Sequence, residues 1–143
     1  MIGYDVSQSK QEIEELKQFG NELRGSGKEV FFMMYHGTKK LAQDIQNSLY
    51  YQNFCKGDTN ILGKPKSRDL KQFLSKEFDF FINGTLKEHK FFDMFAKHTK
   101  ALFRIGKYFP SSEDHYELMI QPNGVDECEN FLIEIGKHIK LLR

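Results

Sequence analysis

The chain has 143 residues, enough for a single core, and we expect residues 1–143 to form one domain. Its 21 basic and 20 acidic residues give a formal net charge of +1, which provides no general attraction for nucleic acid or an anionic membrane. The longest apolar run, residues 30–35, is too short to span a bilayer, and the N-terminus lacks the regions of a signal peptide. These features predict a soluble, cytoplasmic protein without nucleic-acid or membrane partners, so that any such binding would have to be local.

The first half of the chain alternates strand and helix patterns. Residues 2–5 form a short strand, and the Ser9-x-x-Glu12 capping box starts an amphipathic helix that ends near residues 25–27. Residues 30–35 are apolar throughout, which is typical of an inner strand covered by helices on both faces. Apolar residues at helical spacing then predict a second helix, with Leu41, Ala42, Ile45 and Leu49. Residues 50–55 are a further candidate strand.

The second half begins with a polar loop, residues 56–66, the longest connection without predicted structure. A short helix follows, with apolar positions at Leu70, Phe73 and Leu74. Residues 78–83 and 101–106 are predicted as buried strands, joined by a helix that starts with a Thr85-x-x-Glu88 capping box.

Residues 116–120 are predicted as the last strand. The connection before it is too short for a crossover helix, so we expect the last two strands to pair antiparallel at the sheet edge or parallel through a loop crossover. The C-terminal helix has the clearest apolar stripe, formed by Cys128, Phe131, Leu132, Ile135, Ile139 and Leu142. Alternating strands and helices predict an α/β fold, a three-layer Rossmann-like sandwich with a mostly parallel sheet.

The cysteine, histidine and glycine spacings match no metal or nucleotide motif. Cys55 and Cys128 are isolated, so we expect two buried, reduced thiols rather than a zinc site. The histidines lack the i, i+4 spacing of a helical metal site. Gly57 and the pair Gly63-Lys64 are one residue too far apart for a phosphate-binding loop, and a proline stands where that loop needs a hydroxyl. The sequence therefore predicts neither a metal nor a cofactor.

Ligands of doubly wound sheets bind beyond the carboxyl ends of the strands. The candidate ligand-binding residues therefore come from the predicted strand ends and the polar loop: Asp5, Ser7, His36, Lys64, Lys66, Asn83, Thr85 and Lys107. We expect the side chains of Asp5, His36 and Asn83 to converge on one crevice. The two loop lysines, with Arg68, place positive charge beside a helix N-terminus, where an anion could bind. No nucleophile and base can be paired, so no catalytic residue is assigned.

Five segments, taken in order, carry a family resemblance: Ile2-Gly3-Tyr4-Asp5, Gly63-Lys64-Pro65-Lys66, Phe78-Asp79-Phe80-Phe81-Ile82, Arg104-Ile105-Gly106-Lys107-Tyr108 and Glu117-Leu118-Met119-Ile120. Together they resemble a family of short bacterial Rossmann-like proteins, known from Bacteroidetes and defined as a domain of unknown function. The resemblance covers most of the chain and implies a fold without an activity. The family usually has an aspartate where this chain has Asn83, which argues against a catalytic role for that position.

Residues 78–106 are also similar to the N-terminal domain of heptosyltransferase-like sugar transferases, which have a strand, a helix and a following Arg-Ile-Gly strand. Three functions therefore stay open. The leading one is a domain, not assigned as an enzyme, that binds a small anionic ligand or a protein partner, including a second copy, at the strand-end crevice. The second is a partnered or degenerate nucleotide-sugar or phosphosugar transferase that uses Asp5, His36, Lys64 and Asn83. The third is a pure protein-interaction module that uses apolar surface and an edge strand.

Overall fold

The computed structural model describes residues 1–141, which contain six strands in one sheet. In chain order the strands are β1 Ile2–Asp5, β2 Phe32–His36, β3 Tyr51–Cys55, β4 Phe80–Asn83, β5 Phe103–Lys107 and β6 Leu118–Ile120. The order across the sheet is β3-β2-β1-β4-β5-β6, and each neighbouring pair is parallel. The sheet thus grows outward in two directions from β1 and β4, which confirms the Rossmann-like prediction.

Helices cover both faces of this sheet. They are α1 Lys10–Gly25, α2 Arg68–Leu74, α3 Lys90–His98 and α4 Glu127–Leu141. On one face, α1 and α4 pack together, α1 against β1 and α4 against β6, with Leu16 and Phe131 fully buried between the layers. On the other face, α2 and α3 bury a phenylalanine-rich cluster that includes Phe73, Phe81 and Phe92. The result is a three-layer sandwich in which each face has its own core.

Short-range sequence signals correctly predict the two ends of α1 and the strand β3. Ser9 Oγ accepts a hydrogen bond from the Glu12 amide at 3.2 Å, and the Glu12 carboxylate accepts one from the Ser9 amide, so the predicted capping box is present. Gly27 has a φ of 91°, a left-handed conformation that suits glycine just after a helix. The candidate strand at residues 50–55 is confirmed as β3.

The predicted helix at residues 41–49 is wrong. The chain runs from β2 to β3 as an irregular loop, residues 37–50, part of which bonds to the outer edge of β3. The Asn53 backbone amide donates to Asn47 Oδ1 at 2.7 Å, and the Asn53 side-chain amide donates to the Gln46 carbonyl at 3.4 Å. Because these groups pair with β3, they protect a sheet edge and do not close helical hydrogen bonds.

The antiparallel edge pair is also wrong, and the alternative of a loop crossover is right. β6 lies parallel to β5, with Leu118 opposite Ile105. A single 3₁₀ helix, Pro110–His115, makes the crossover. About ten connecting residues can reach roughly 33 Å when extended, which is ample to return along a strand of five residues without an α-helix.

The predicted capping box at Thr85 and Glu88 does not form. The amide and the hydroxyl of Thr85 both donate to Asn83 Oδ1, at 3.0 and 2.5 Å. Instead, α3 begins after His89, whose Nδ1 accepts from the Phe92 amide at 3.4 Å. The buried side-chain amide of Asn83 therefore binds Thr85, the residue that was predicted to cap the helix.

The apolar stripe of α4 is confirmed for its described members, which are Cys128, Phe131, Leu132, Ile135 and Ile139, all buried. Leu142, the last predicted member, lies outside the described residues. Both cysteines are free and buried, as predicted. Among residues 1–141 there is no helix with the length and hydropathy that a membrane crossing would need.

Candidate functional site

The carboxyl ends of β1 and β4 are where this fold usually binds ligands. Here the two loops that leave these strands are bonded to each other. The Gln8 side-chain amide donates to the Gly84 carbonyl at 3.1 Å, and the Gly84 amide donates to the Gly3 carbonyl at 2.7 Å. A Cβ on residue 84 would lie 2.8 Å from that Gly3 oxygen, so this close approach requires glycine. The protein's own groups therefore occupy the junction.

Asp5 makes a second connection at the same end of the sheet. Its carboxylate lies 2.8 Å from His89 Nε2, and the Ser7 amide donates to it at 2.8 Å. Burial acts to raise the pKa of Asp5, but the hydrogen bonds from Ser7 and His89 outweigh it and hold the pKa below its ordinary value. Since Nδ1 of His89 accepts from a backbone amide, Nε2 carries the proton donated to Asp5. Both imidazole nitrogens of His89 therefore already have hydrogen-bond partners within the protein.

Asn83 lies in a buried polar cluster beyond the end of β4. Its side-chain amide donates to the Tyr116 hydroxyl at 2.9 Å, while its oxygen accepts from Thr85. The Tyr116 hydroxyl donates in turn to the Asp93 carboxylate at 3.0 Å, and Ser112 donates to the other oxygen of that carboxylate at 3.1 Å. Burial, and then the charge of Asp93, raise the pKa of Tyr116. The cluster joins β4, α3 and the β5–β6 crossover.

His36 lies on the opposite face of the sheet from Asp5 and Asn83. Its Nε2 is 2.8 Å from Asn53 Oδ1, on the neighbouring strand β3. The structure therefore places Asp5, His36 and Asn83 in three separate hydrogen-bonding environments. Of the predicted candidates it brings together only Asp5 with Ser7, and Asn83 with Thr85.

The remaining predicted cations have different surroundings. Lys107 donates to the Leu86 carbonyl at 3.0 Å and forms an ion pair with Glu127, so it ties the β4–α3 loop to α4. Lys64 and Lys66 are exposed in the loop after β3. Only Lys66 lies on the wall of a cavity at the carboxyl ends of the strands.

That cavity, which we call the lysine cavity, has a volume of about 440 Å³ and opens at the ends of β2 and β3. Three exposed lysines stand around it, namely Lys39, Lys40 and Lys66. Asn53 lies on its wall with two carboxylates, Asp58 and Asp69. The basic side chains outnumber the acidic ones, and among residues 1–141 the ion pairs lie elsewhere.

Backbone contacts fix the shape of the lysine cavity. The amides of Lys56 and Gly57 donate to the carbonyls of Thr38 and Lys39 at 2.9 and 3.1 Å, which joins the loops after β2 and β3. A Cβ on Gly57 would collide with the Lys39 carbonyl oxygen. This position therefore requires glycine for close packing.

Cys55 also lies at the lysine cavity, and it serves the same joint between the loops. Its thiol donates to the Lys39 carbonyl at 3.4 Å, and burial raises its pKa. A protonated, donating thiol is a poor nucleophile. No three histidine, cysteine or acidic side chains within the described part of the chain are grouped so that they could hold a metal ion. The groups at this cavity that can bind a charged ligand are its three exposed lysines.

Selection from the sequence missed Lys39, Lys40, Asn53 and His89. The two lysines lie between β2 and the start of the predicted helix at residue 41, so the strand-end rule that selected His36 could have found them. Asn53 falls within the strand that was only a candidate. His89 is 84 residues from Asp5, and no local pattern announces that pair.

Comparison with known proteins places this structure in a wider group without giving it an activity. A family of unknown function, DUF6913, matches residues 6–142. No curated protein and no solved structure matches the chain.

Proposed function

This chain belongs to DUF6913, a family of unknown function, and we propose that its domain binds a small phosphate-bearing or similar anion in the lysine cavity. The observation that carries the proposal is the position of Lys39, Lys40 and Lys66 around one cavity at the carboxyl ends of two parallel strands. Ligands of this fold class bind at that end of the sheet. The volume of about 440 Å³ lies within the range of small-molecule sites.

The charges favour an anion over a neutral ligand. Two of the lysines come from the β2–β3 loop and the third from the β3–α2 loop, so a ligand between them would gain positive charge from two sides. Lysine is a common point-charge partner of phosphate. The carboxylate of Asp58 accepts from the Cys55 amide at 2.8 Å, so part of the opposing negative charge is engaged by the protein itself.

Several features favour binding over catalysis. His36 is bonded to Asn53, the thiol of Cys55 donates to a carbonyl, and the imidazole of His89 bonds at both nitrogens. General acid–base or nucleophilic chemistry needs a side chain that can exchange a proton with the substrate. We therefore expect the domain to hold its ligand unchanged, in the cytoplasm, where free buried thiols are usual.

A thermal-shift screen tests the proposal, with inorganic phosphate, nucleotides, nucleotide sugars and phosphosugars at millimolar concentration. A ligand at one hundred times its Kd adds about 2.7 kcal/mol to the free energy of unfolding. For a domain of this size that corresponds to a rise in Tm of roughly 6–10 °C. A panel in which no compound raises the Tm would refute the proposal.

Variants then place the site. The triple variant K39S/K40S/K66S should lose the shift, because it removes the three positive charges around the lysine cavity. The matched control is K10S/K17S/K97S, which removes the same charge from exposed helix positions. If the first variant keeps the shift or both variants lose it equally, the ligand does not bind in the lysine cavity.

A further inference from the structure

A short hairpin projects from the rim of the lysine cavity. Thr59 and Pro65 form an antiparallel bridge at its base, and the chain turns back between them. Ile61 and Leu62 lie at the turn, and we call these two residues the hairpin tip. Ile61 is 101% exposed and Leu62 is 76% exposed. Two adjacent aliphatic side chains thus stand almost fully in solvent.

The backbone holds the hairpin tip in this position. Asn60 Oδ1 accepts from the amides of Leu62 and Lys64 at 2.9 and 3.0 Å, and the Asn60 amide donates to the Lys64 carbonyl at 2.8 Å. Gly63 adopts a φ of 77°, which glycine allows without strain. The turn is therefore built with internal hydrogen bonds, and the exposure of its apolar side chains is a property of the fold.

Basic residues flank the hairpin tip in sequence. Residues 56–69 contain Lys56, Lys64, Lys66 and Arg68 against two acidic residues, Asp58 and Asp69. The whole chain has a net charge of only +1, so this segment concentrates positive charge. The hairpin tip therefore carries two exposed apolar side chains within a segment that has an excess of positive charge.

We propose that the hairpin tip docks the domain on the surface of an anionic lipid bilayer, with Ile61 and Leu62 entering the interface between headgroups and acyl chains. Proteins bind membrane surfaces through apolar side chains that enter the bilayer, together with basic residues that are attracted to anionic lipids. A protein partner would have to bury about 800 Å² on each side, and two side chains at the end of a projection offer far less. A bilayer can surround a projection, so the shape and the charge both fit it better.

Docking by the hairpin tip is independent of ligand binding in the lysine cavity, although Lys66 belongs to both surfaces. Substitutions at Ile61 and Leu62 leave the three cavity lysines in place. The thermal shift with soluble ligands, measured without vesicles, tests ligand binding in the lysine cavity alone. Vesicle binding by the variants at Ile61 and Leu62 tests docking by the hairpin tip. Failure of one proposal can thus be told from failure of the other.

The experiment is co-sedimentation of the domain with vesicles of phosphatidylcholine containing phosphatidylserine, and with vesicles of phosphatidylcholine alone. We expect binding to the anionic vesicles that weakens as salt increases, and much weaker binding to the neutral ones. The variant I61S/L62S should bind at least about tenfold more weakly, since it removes most of the apolar surface that enters the bilayer. K64S should bind about fivefold more weakly, through loss of one positive charge.

The matched control is V125S, because Val125 is also 101% exposed but is followed by the acidic residues Asp126 and Glu127. Its vesicle binding should equal that of the wild type. Because Ile61 and Leu62 are exposed, their substitution should leave the thermal melt unchanged. Absence of binding to anionic vesicles at low salt overturns the proposal, as does equal binding by I61S/L62S. Self-association of the wild type that I61S/L62S abolishes, without vesicle binding, would instead make the tip an interface between copies.

Discussion

Replacing Tyr116 by phenylalanine tests the buried polar cluster that closes the ends of β4 and β5. The substitution removes one oxygen and keeps the ring, which packs against Gly106, so it creates no large cavity. It breaks the bond from the Asn83 side-chain amide, at 2.9 Å, and the bond to the Asp93 carboxylate, at 3.0 Å. Each buried group left without a partner costs about 1–3 kcal/mol. Because Asp93 keeps its bond from Ser112, we expect Y116F to lower the free energy of unfolding by about 2–4 kcal/mol.

Urea denaturation at neutral pH measures this loss, provided that the slope with urea stays unchanged. The control is Y108F, which removes the same atom from an exposed hydroxyl that donates to Glu113 at 3.0 Å. It should change stability by less than about 0.5 kcal/mol. In an N83A background, Y116F should cost less, because the donor is already absent. Equal urea midpoints for Y116F, Y108F and wild type would refute the structural role of the cluster.

Three further predictions concern pH and packing. The pKa of Asp5 is lowered in the folded state, so the stabilising effect of its carboxylate is present above its ordinary pKa and is lost as pH falls through the lowered value. The difference in the free energy of unfolding between wild type and D5N should therefore shrink below about pH 4, which urea titrations at several pH values can measure. The pKa of Tyr116 is raised by burial and then by Asp93, so wild type should lose stability as pH rises above about 10, where the unfolded tyrosine ionises, and Y116F should lose less. The variant G57A should unfold about 1–3 kcal/mol more easily and lose the ligand-induced thermal shift, because its Cβ would collide with the Lys39 carbonyl oxygen; G37A, with no atom within 4 Å of the added Cβ, is the control that should behave like wild type.

The sequence predicts those parts of the fold that depend on near neighbours or on burial on both faces. The apolar run at residues 30–35 identifies β2 because an inner parallel strand contacts helices on both faces. The capping box of Ser9 and Glu12 forms because both partners lie within one turn. In each case the energy that decides the structure comes from residues close in sequence or from hydrophobicity alone.

Two failed predictions, the helix at residues 41–49 and the Thr85 cap, share a physical cause, which is a hydrogen bond to the side chain of a strand asparagine. The apolar spacing at residues 41–49 is helical, but Asn53 on the neighbouring strand binds the loop and favours an irregular path. Thr85 is a good capping residue, but the buried carboxamide of Asn83 binds both of its donors. The pair of Asp5 and His89 spans 84 residues, so only the fold brings it together. The strand-end rule therefore selected Asp5, His36 and Asn83, but it could not identify their hydrogen-bond partners His89, Asn53 and Tyr116.

The position of the lysine cavity follows from the way this chain departs from a regular doubly wound sheet. The junction of β1 and β4, the usual binding place, is closed by the bond from Gln8 to Gly84 and by Asp5 with His89. Between β2 and β3 the usual crossover helix is replaced by the loop of residues 37–50. The loop leaves Lys39 and Lys40 at the strand ends, on the wall of the cavity that Lys66 also lines. Departures from the local rules of a fold occur at functional or strained sites, so the loop and the cavity that it borders are the place where the proposed ligand binding should be tested first.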